Sequence, residues 1–283
     1  MINPNQFYDI YLITMDQQDQ HWYRINQGAY DMAQMLGVNY FWEAPVVKDT
    51  QRQIEILNQV VARGANAVMI AANDPVLISG AIEDAKANLV RIIYVDSPAY
   101  EEAVTTLSTD NYNAGQIAAS QMLSQFNELG INSGSIGIIG VNEVTLSTVR
   151  REVGFREIMD EDGRFTLLAT VYANGDPAAS EEAAVNMYQS NPDLVGLFGT
   201  NEGSTEGVGN AIKNANMRVI GIGFDQSTTI LELIRDGYLQ AAVVQNPYTM
   251  GYLGMAQAVA ALRGFDTGPE SIDTGVVVFV RRT

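Results

Sequence analysis

Four apolar runs in this chain end in an acid or an amide, and they fall into matched pairs, one member in each half. Ile-Ile-Tyr-Val stops at Asp96, and Val-Ile-Gly-Ile-Gly-Phe stops at Asp225. Ala-Val-Met-Ile-Ala-Ala stops at Asn73–Asp74, and Leu-Val-Gly-Leu-Phe-Gly-Thr stops at Asn201–Glu202. Runs of this kind read as strands buried on both faces, as in parallel α/β sheets. Such sheets bind ligands beyond the carboxyl ends of their strands. The duplicated pattern therefore predicts two similar lobes that present strand-end polar groups to one ligand.

The rest of the chain fits that reading. Strand-like runs near 8–14, 39–42, 67–71 and 92–95 alternate with helix-period segments near 20–36 and 50–63 and a third carrying Ile78, Ala81, Ile82 and Ala85. The pattern restarts after Asn111. Expected strands near 135–139, 166–172, 195–198, 219–223 and 239–244 are separated by helical segments, a long one spans about 247–262, and two short runs follow near 271–272 and 276–280. Strand–helix alternation of this kind builds doubly wound sheets. No Gly/Ser/Pro-rich linker divides the halves, so short segments rather than a tether are expected to join them.

Composition narrows the function. A length of 283 residues is a prior of about two domains. Hydrophobic residues make up 47% of the chain, enough for a core in each. The net charge of -17 repels phosphate backbones, so nucleic acid is not an expected partner. Cysteine is absent, which removes thiol catalysis, disulfides and thiolate metal sites. The opening segment, Met-Ile-Asn-Pro-Asn-Gln-Phe-Tyr, has no basic stretch followed by an apolar one, so the given chain is expected to lack a signal peptide, as a trimmed mature chain would. No apolar run approaches the roughly 20 residues of a membrane-spanning helix.

Several chemistries lack their parts. Gly199-Thr-Asn-Glu-Gly-Ser-Thr follows a strand but carries no P-loop lysine, and Gly134, Gly137 and Gly140 lie on a strand. A single histidine, His21, makes no multi-histidine metal site. Asp160-Glu-Asp-Gly-Arg lacks the spaced oxygens of a calcium loop. No G-x-S-x-G elbow occurs. Asp96 and Asp225 serve as hydrogen-bond acceptors as readily as an acid/base pair. His21-Trp22-Tyr23 at a helix start places an aromatic where it can stack on a sugar ring. Asp16 to Asp19 precede it as acceptors or plain caps. Arg151 offers a planar fork for adjacent ring oxygens or for the buried carboxylates.

Taken together, these motifs resemble the periplasmic sugar-binding proteins of the ribose- and galactose-binding type, whose fold is shared with the effector domains of lactose-repressor-like regulators. The resemblance rests on the aromatic pair before Gly28-Ala29, Val95-Asp96, Ser108-Thr-Asp-Asn111, Arg151-x-x-Gly154-Phe155, Phe198-Gly-Thr-Asn201, Gly223-Phe-Asp225 and Val244-Gln245. It implies two Rossmann-like lobes, each a parallel sheet flanked by helices, joined by three hinge crossings near Asp110, Gln245–Asn246 and Asp273. The lobes would comprise 1–110 plus 246–273 and 111–245 plus 274–283. A sugar would lie between them, bound by Asp19, His21, Trp22, Asp96 and Ser97 from the first, by Arg151, Asn201 and Asp225 from the second, and by Gln245 at a hinge. Ser97 stands where ribose binders carry a second arginine. Gly175 falls near the place of their second-lobe aromatic, with Tyr172 or Tyr248 as substitutes. The implied protein is a non-catalytic, monomeric, extracytoplasmic receptor for an ABC importer's permease, with no cofactor and no metal. A regulator's effector domain or a glycosidase on the same scaffold remains the alternative.

Overall fold

The computed structural model describes residues 7–281; residues 1–6 and 282–283, the outer ends of the expected lobes, lie outside the described residues. In chain order the elements of the first half are β1 (Asp9–Ile13), α1 (Gln20–Leu36), β2 (Asn39–Glu43), α2 (Thr50–Ala62), β3 (Ala67–Ile70), α3 (Ser79–Ala87), β4 (Arg91–Val95) and β5 (Thr106–Ser108). There follow α4 (Asn111–Leu129), β6 (Gly134–Gly140), α5 (Leu146–Asp162), β7 (Phe165–Leu167), β8 (Val171–Tyr172), α6 (Pro177–Ser190), β9 (Leu194–Gly199), α7 (Glu202–Asn214), β10 (Ile220–Phe224), α8 (Thr228–Asp236) and β11 (Ala241–Gln245). The chain ends with α9 (Pro247–Leu262), β12 (Ser271–Asp273) and β13 (Val276–Val280). Two compact units result. The first runs to Thr109 and takes in Val144–Leu146 and Asn246–Thr274; the second holds Asp110–Glu143, Ser147–Gln245 and the chain from Gly275 onward.

The first unit's sheet has the order β12-β5-β4-β3-β1-β2, with every neighbouring pair parallel. The second has the order β13-β11-β10-β9-β6-β7, with β8 also pairing β6. Its strands are parallel except β13, which runs antiparallel to β11. In both sheets the order reverses at the first strand of the unit, β1 or β6, which is the switch point where open α/β sheets place ligands.

Burial on both faces explains why alternation of polar and apolar residues is missing from the strands. In β1, Ile10 and Leu12 join one core cluster while Tyr11 and Ile13 join the other. The first cluster lies under α1 and α9; the second lies under α2 and α3. The second unit repeats this. Ile136 and Ile138 of β6 meet Phe126 of α4 and Phe155 of α5, while Ile139 faces Ala184 of α6 and Val208 of α7. Burying each such aliphatic side chain contributes about 1.5–3 kcal/mol.

The structure departs from the sequence-based expectation at two places. The expected strand at 166–172 is two short strands, β7 and β8, with Arg156 bonded to the Leu168 carbonyl at 3.0 Å and to Thr170 Oγ1 at 2.7 Å in the break between them. The three-residue β5 was not legible, because Thr-Leu-Ser has no apolar run. Of the two tail runs, β12 adds to the first sheet through β5 and β13 to the second through β11.

Each unit contains one pair of helices that touch backbone to backbone through facing glycines. A Cβ on Gly28 of α1 would lie 2.0 Å from the Tyr248 carbonyl oxygen of α9, and one on Gly251 would lie 1.9 Å from that of Ile25. In the second unit a Cβ on Gly115 of α4 would lie 2.1 Å from the Arg151 carbonyl oxygen of α5, and one on Gly154 2.1 Å from that of Tyr112. No side chain gives way at a backbone contact, so the helices must part. Gly115→Ala is expected to lower stability by about 1–3 kcal/mol in urea unfolding. Gly80→Ala is the control: nothing lies within 4 Å of its Cβ, so stability should hold or rise.

Candidate functional site

Strands that stop inside a protein release polar groups where water is scarce, and each unit gathers such groups at its strand ends. All nine residues expected at the site are buried: Asp19, His21, Trp22, Asp96, Ser97, Arg151, Asn201, Asp225 and Gln245. Charged side chains are almost never buried without partners, so the partners define the local chemistry.

In the first unit, the loop from β1 to α1 folds around Asp16. Its Oδ1 accepts from the backbone N–H groups of Gln18 at 2.7 Å and Asp19 at 3.2 Å. Its Oδ2 accepts from Trp22 Nε1 at 3.1 Å and pairs with Lys48 Nζ at 2.6 Å. Four donors fill the acceptor capacity of a carboxylate, so Asp16 organises the loop. Trp22 lies within the first core cluster, edge-on to His21 with ring centroids 4.9 Å apart. His21 Nε2 lies 3.1 Å from Asp96 Oδ1. Asp96 and Ser97 directly follow β4. The buried Gln53 of α2 donates to the carbonyls of Thr14 at 3.1 Å and Ala71 at 2.8 Å and accepts from Asn73 N at 3.0 Å, tying the end of β1 to that of β3.

In the second unit, Arg151 of α5 is 2% exposed. Its Nε donates to Asn111 Oδ1 at 2.8 Å and its Nη1 to the Thr200 carbonyl at 3.0 Å. Its guanidinium lies over the Phe224 ring, 4.4 Å from the centroid. Nη1 is 4.0 Å from Asp225 Oδ2, at the edge of ion pairing. Gln245 Nε2 donates to Asp225 Oδ1 at 2.8 Å. Asn201 caps α7 by accepting from Ser204 N at 3.0 Å. Thr205 stitches the ends of β9 and β10, donating to the Asn201 carbonyl at 2.7 Å and accepting from Phe224 N at 2.8 Å.

Two further features mark these strand ends. Asp96 and Asp225 both sit at positive φ, 65° and 69°, a left-handed conformation that costs a non-glycine residue roughly 1–2 kcal/mol. Both strained acids stand one residue beyond their strands, at matching places in the two sheets. The backbone N–H of each donates to the neighbouring strand, Asp96 to the Leu107 carbonyl at 2.8 Å and Asp225 to that of Val243 at 2.9 Å. Among the described residues, six buried side-chain polar atoms have no hydrogen-bond partner. Four of them, Asn73 Oδ1, Ser97 Oγ, Thr200 Oγ1 and Ser204 Oγ, follow β3, β4 and β9 or open α7. An unmade buried hydrogen bond costs about 1–3 kcal/mol. Clustering of that cost at strand ends is what a polar ligand site requires.

A search of family models matches residues 10–266 to the periplasmic binding protein domain. The chain belongs to the periplasmic binding protein family. Its relatives include the xylose/arabinose-binding protein of Sulfolobus acidocaldarius, 25% identical over 269 residues. That match spans 88% of this chain and 65% of the relative, just under two thirds of its length. The ribose import binding protein of Bacillus subtilis is 27% identical over 217 residues, 76% of this chain and 69% of that one. A carbohydrate transporter solute binding protein from Agrobacterium radiobacter, solved in complex with D-arabinose, shares 28% identity and a TM-score of 0.93 over 98% of this chain and 95% of its own.

Sequence reasoning missed Lys48, Gln53, Asn111 as the partner of Arg151, and Thr205. Tyr248, offered there as a substitute aromatic, lies on the α1–α9 pair, with its hydroxyl 3.0 Å from Asp31 Oδ2 and its ring stacked on Tyr252. Tyr172 lies on the edge strand β8, half-exposed, with its hydroxyl 3.4 Å from Glu152 Oε2. Lys48 had one signal, a lone cation between an expected strand and helix in an acidic chain. Burial by itself lowers the Lys48 ammonium, but the carboxylates of Asp19 and Asp16 outweigh it and hold the group above the usual lysine range. A folded-state value above the unfolded one contributes stability that is complete below about pH 10.4 and is lost as pH rises through the folded value. Lys48→Met is therefore expected to cost about 3–5 kcal/mol near neutral pH, since it strands buried carboxylates. That gap should narrow above about pH 11, read from urea midpoints across a pH series.

Proposed function

We propose that this chain is the solute-binding receptor of a sugar ABC importer and that it binds a monosaccharide or related polyol without turning it over. The reading is supported most by the four unpartnered buried polar atoms beside two strained strand-end aspartates, one in each unit. Sugar hydroxyls both donate and accept, so one ligand class answers carboxylates, an amide, a guanidinium and bare hydroxyls together. Relatives and structural neighbours named for ribose, xylose and arabinose add to it.

The physical role of each group follows from its partners. Asp96 and Asp225 accept from hydroxyls, each held by a neighbour, His21 or Gln245, that keeps its carboxylate in one orientation. Arg151 is fixed on three sides by Asn111, the Thr200 carbonyl and the Phe224 ring, so its remaining donors need little reordering when a ring oxygen arrives. A ligand lacking a hydroxyl leaves a buried acceptor unpaired, which is the basis of rejection. Closure about the connecting segments on binding, recognition by a membrane permease, a monomeric state, an extracytoplasmic location and the absence of nucleic acid from its partners belong to the same proposal. Among the described residues no helix is long and apolar enough to cross a membrane.

Titration calorimetry against ribose, arabinose, xylose, galactose, glucose and simple polyols is expected to find at least one ligand binding with one equivalent per chain. Asp96→Asn and Asp225→Asn should each weaken it by about 10- to 100-fold, as loss of a charge-assisted hydrogen bond of roughly 1.5–3 kcal/mol requires. No heat with any sugar, or loss from only one of the two variants, would contradict the proposal.

A further inference from the structure

Five helices of this protein share a side-chain cap that α1, like α3 and α9, lacks. Asp49, Asp110, Asp176, Asn201 and Ser227 each stand at an N-cap and accept from the backbone N–H three residues on. Asp19 stands at the N-cap of α1 with extended backbone angles, φ -69° and ψ 135°, yet its side chain makes no cap hydrogen bond. Forgoing an aspartate cap costs a helix about 1 kcal/mol. On the opposite side, Lys48 Nζ lies 3.3 Å from Asp19 Oδ2.

Lys48 comes from the loop between β2 and α2, with its side chain 6% exposed. It is anchored first by Asp16, at 2.6 Å, and Asp16 has no acceptor capacity left over. The anchor also connects to the unpartnered group of this strand end. Asn73 Nδ2 donates to the Met15 carbonyl, next to Asp16, at 3.1 Å, while its buried Oδ1 has no partner. Local rules broken in a folded chain fall at functional or strained positions, and this one lies in the unit whose strand end carries the unsatisfied Asn73 Oδ1.

We propose that Lys48 is a specificity-determining residue of the first unit, which draws Asp19 off the helix cap and holds its carboxylate as an acceptor for sugar hydroxyls. The inference rests on the sugar-binding reading above. Lys48 acts through Asp19 and is a positioning residue. The arrangement gives Asp19 one orientation, so it discriminates between epimers that differ at the hydroxyl it receives. Without the lysine, Asp19 returns to the cap and the discrimination relaxes.

The test combines Lys48→Met, Asp19→Asn and the double variant, with D-ribose, D-arabinose and D-xylose as probes in calorimetry. Lys48→Met should weaken the preferred sugar at least tenfold and shift the ratio of dissociation constants among the three. The double variant should bind no worse than Asp19→Asn alone. In a crystal structure of sugar-free Lys48→Met, the Asp19 carboxylate should accept from the backbone N–H of His21 or Trp22. Should Lys48→Met fail to fold, Lys48→Gln, whose shorter neutral amide can still donate to Asp16 but brings no charge to Asp19, carries the same expectations. An unchanged ratio, additive losses in the double variant, or an Asp19 that stays off the cap would each overturn this role while leaving the receptor reading intact. A wild-type chain that binds none of the sugars and polyols of the wider panel above would overturn both.

Discussion

Buried polar groups at the ends of parallel strands must find partners where water does not reach, and this requirement organises both units. The first unit meets it with Asp16, fully buried, whose four donors come from its own loop, from Trp22 and from Lys48. The second meets it with Arg151, pinned by Asn111, the Thr200 carbonyl and the Phe224 ring. One solution centres on an anion and the other on a cation. In each, an uncompensated charge would cost more than most single contacts supply, so the surrounding side chains have little freedom to move.

The helices that carry these groups are placed by glycine. Arg151 lies in α5 where its own carbonyl oxygen faces Gly115 of α4, and His21 lies in the first turn of α1, which meets α9 through Gly28 and Gly251. Backbone contact of this kind leaves no side chain to adjust. The position of a site residue is thereby set by a residue of no chemical function on another helix. Against that rigidity stand the groups left unsatisfied or strained: Asp96 and Asp225 at positive φ, and the bare atoms of Asn73, Ser97, Thr200 and Ser204. Stability is lowered at these points, and they coincide with the ends of β3, β4, β9 and β10.

Much of the fold was legible because strands buried on both faces announce themselves as unbroken apolar runs. Ile-Ile-Tyr-Val before Asp96 is one such run, and Ile10 to Ile13 feeding two core clusters is its structural counterpart. Where the run is short, as in Thr106–Ser108, or interrupted, as at 168–170, reading along the chain failed. Strand pairing there depends on neighbours distant in sequence. The strand-end candidates were legible for the same reason, since a polar residue closing a buried strand has few other places to go. Lys48 was not, because a lone lysine between two elements looks like a solvated one until Asp16 and Asp19 are brought beside it.

The amino-acid order alone determined the alternation of elements, the duplicated half, and the acids and amides that close the strands, because each of these follows from local periodicity and from what a two-sided sheet excludes. Tertiary structure decided which of those groups remain available. Asp16 is filled while Asn73 keeps a bare oxygen, and Asp19 makes no cap bond while Asn201 caps its helix. The reason is that hydrogen-bond capacity is used up by partners from other elements, and only packing brings those partners within 3 Å or so.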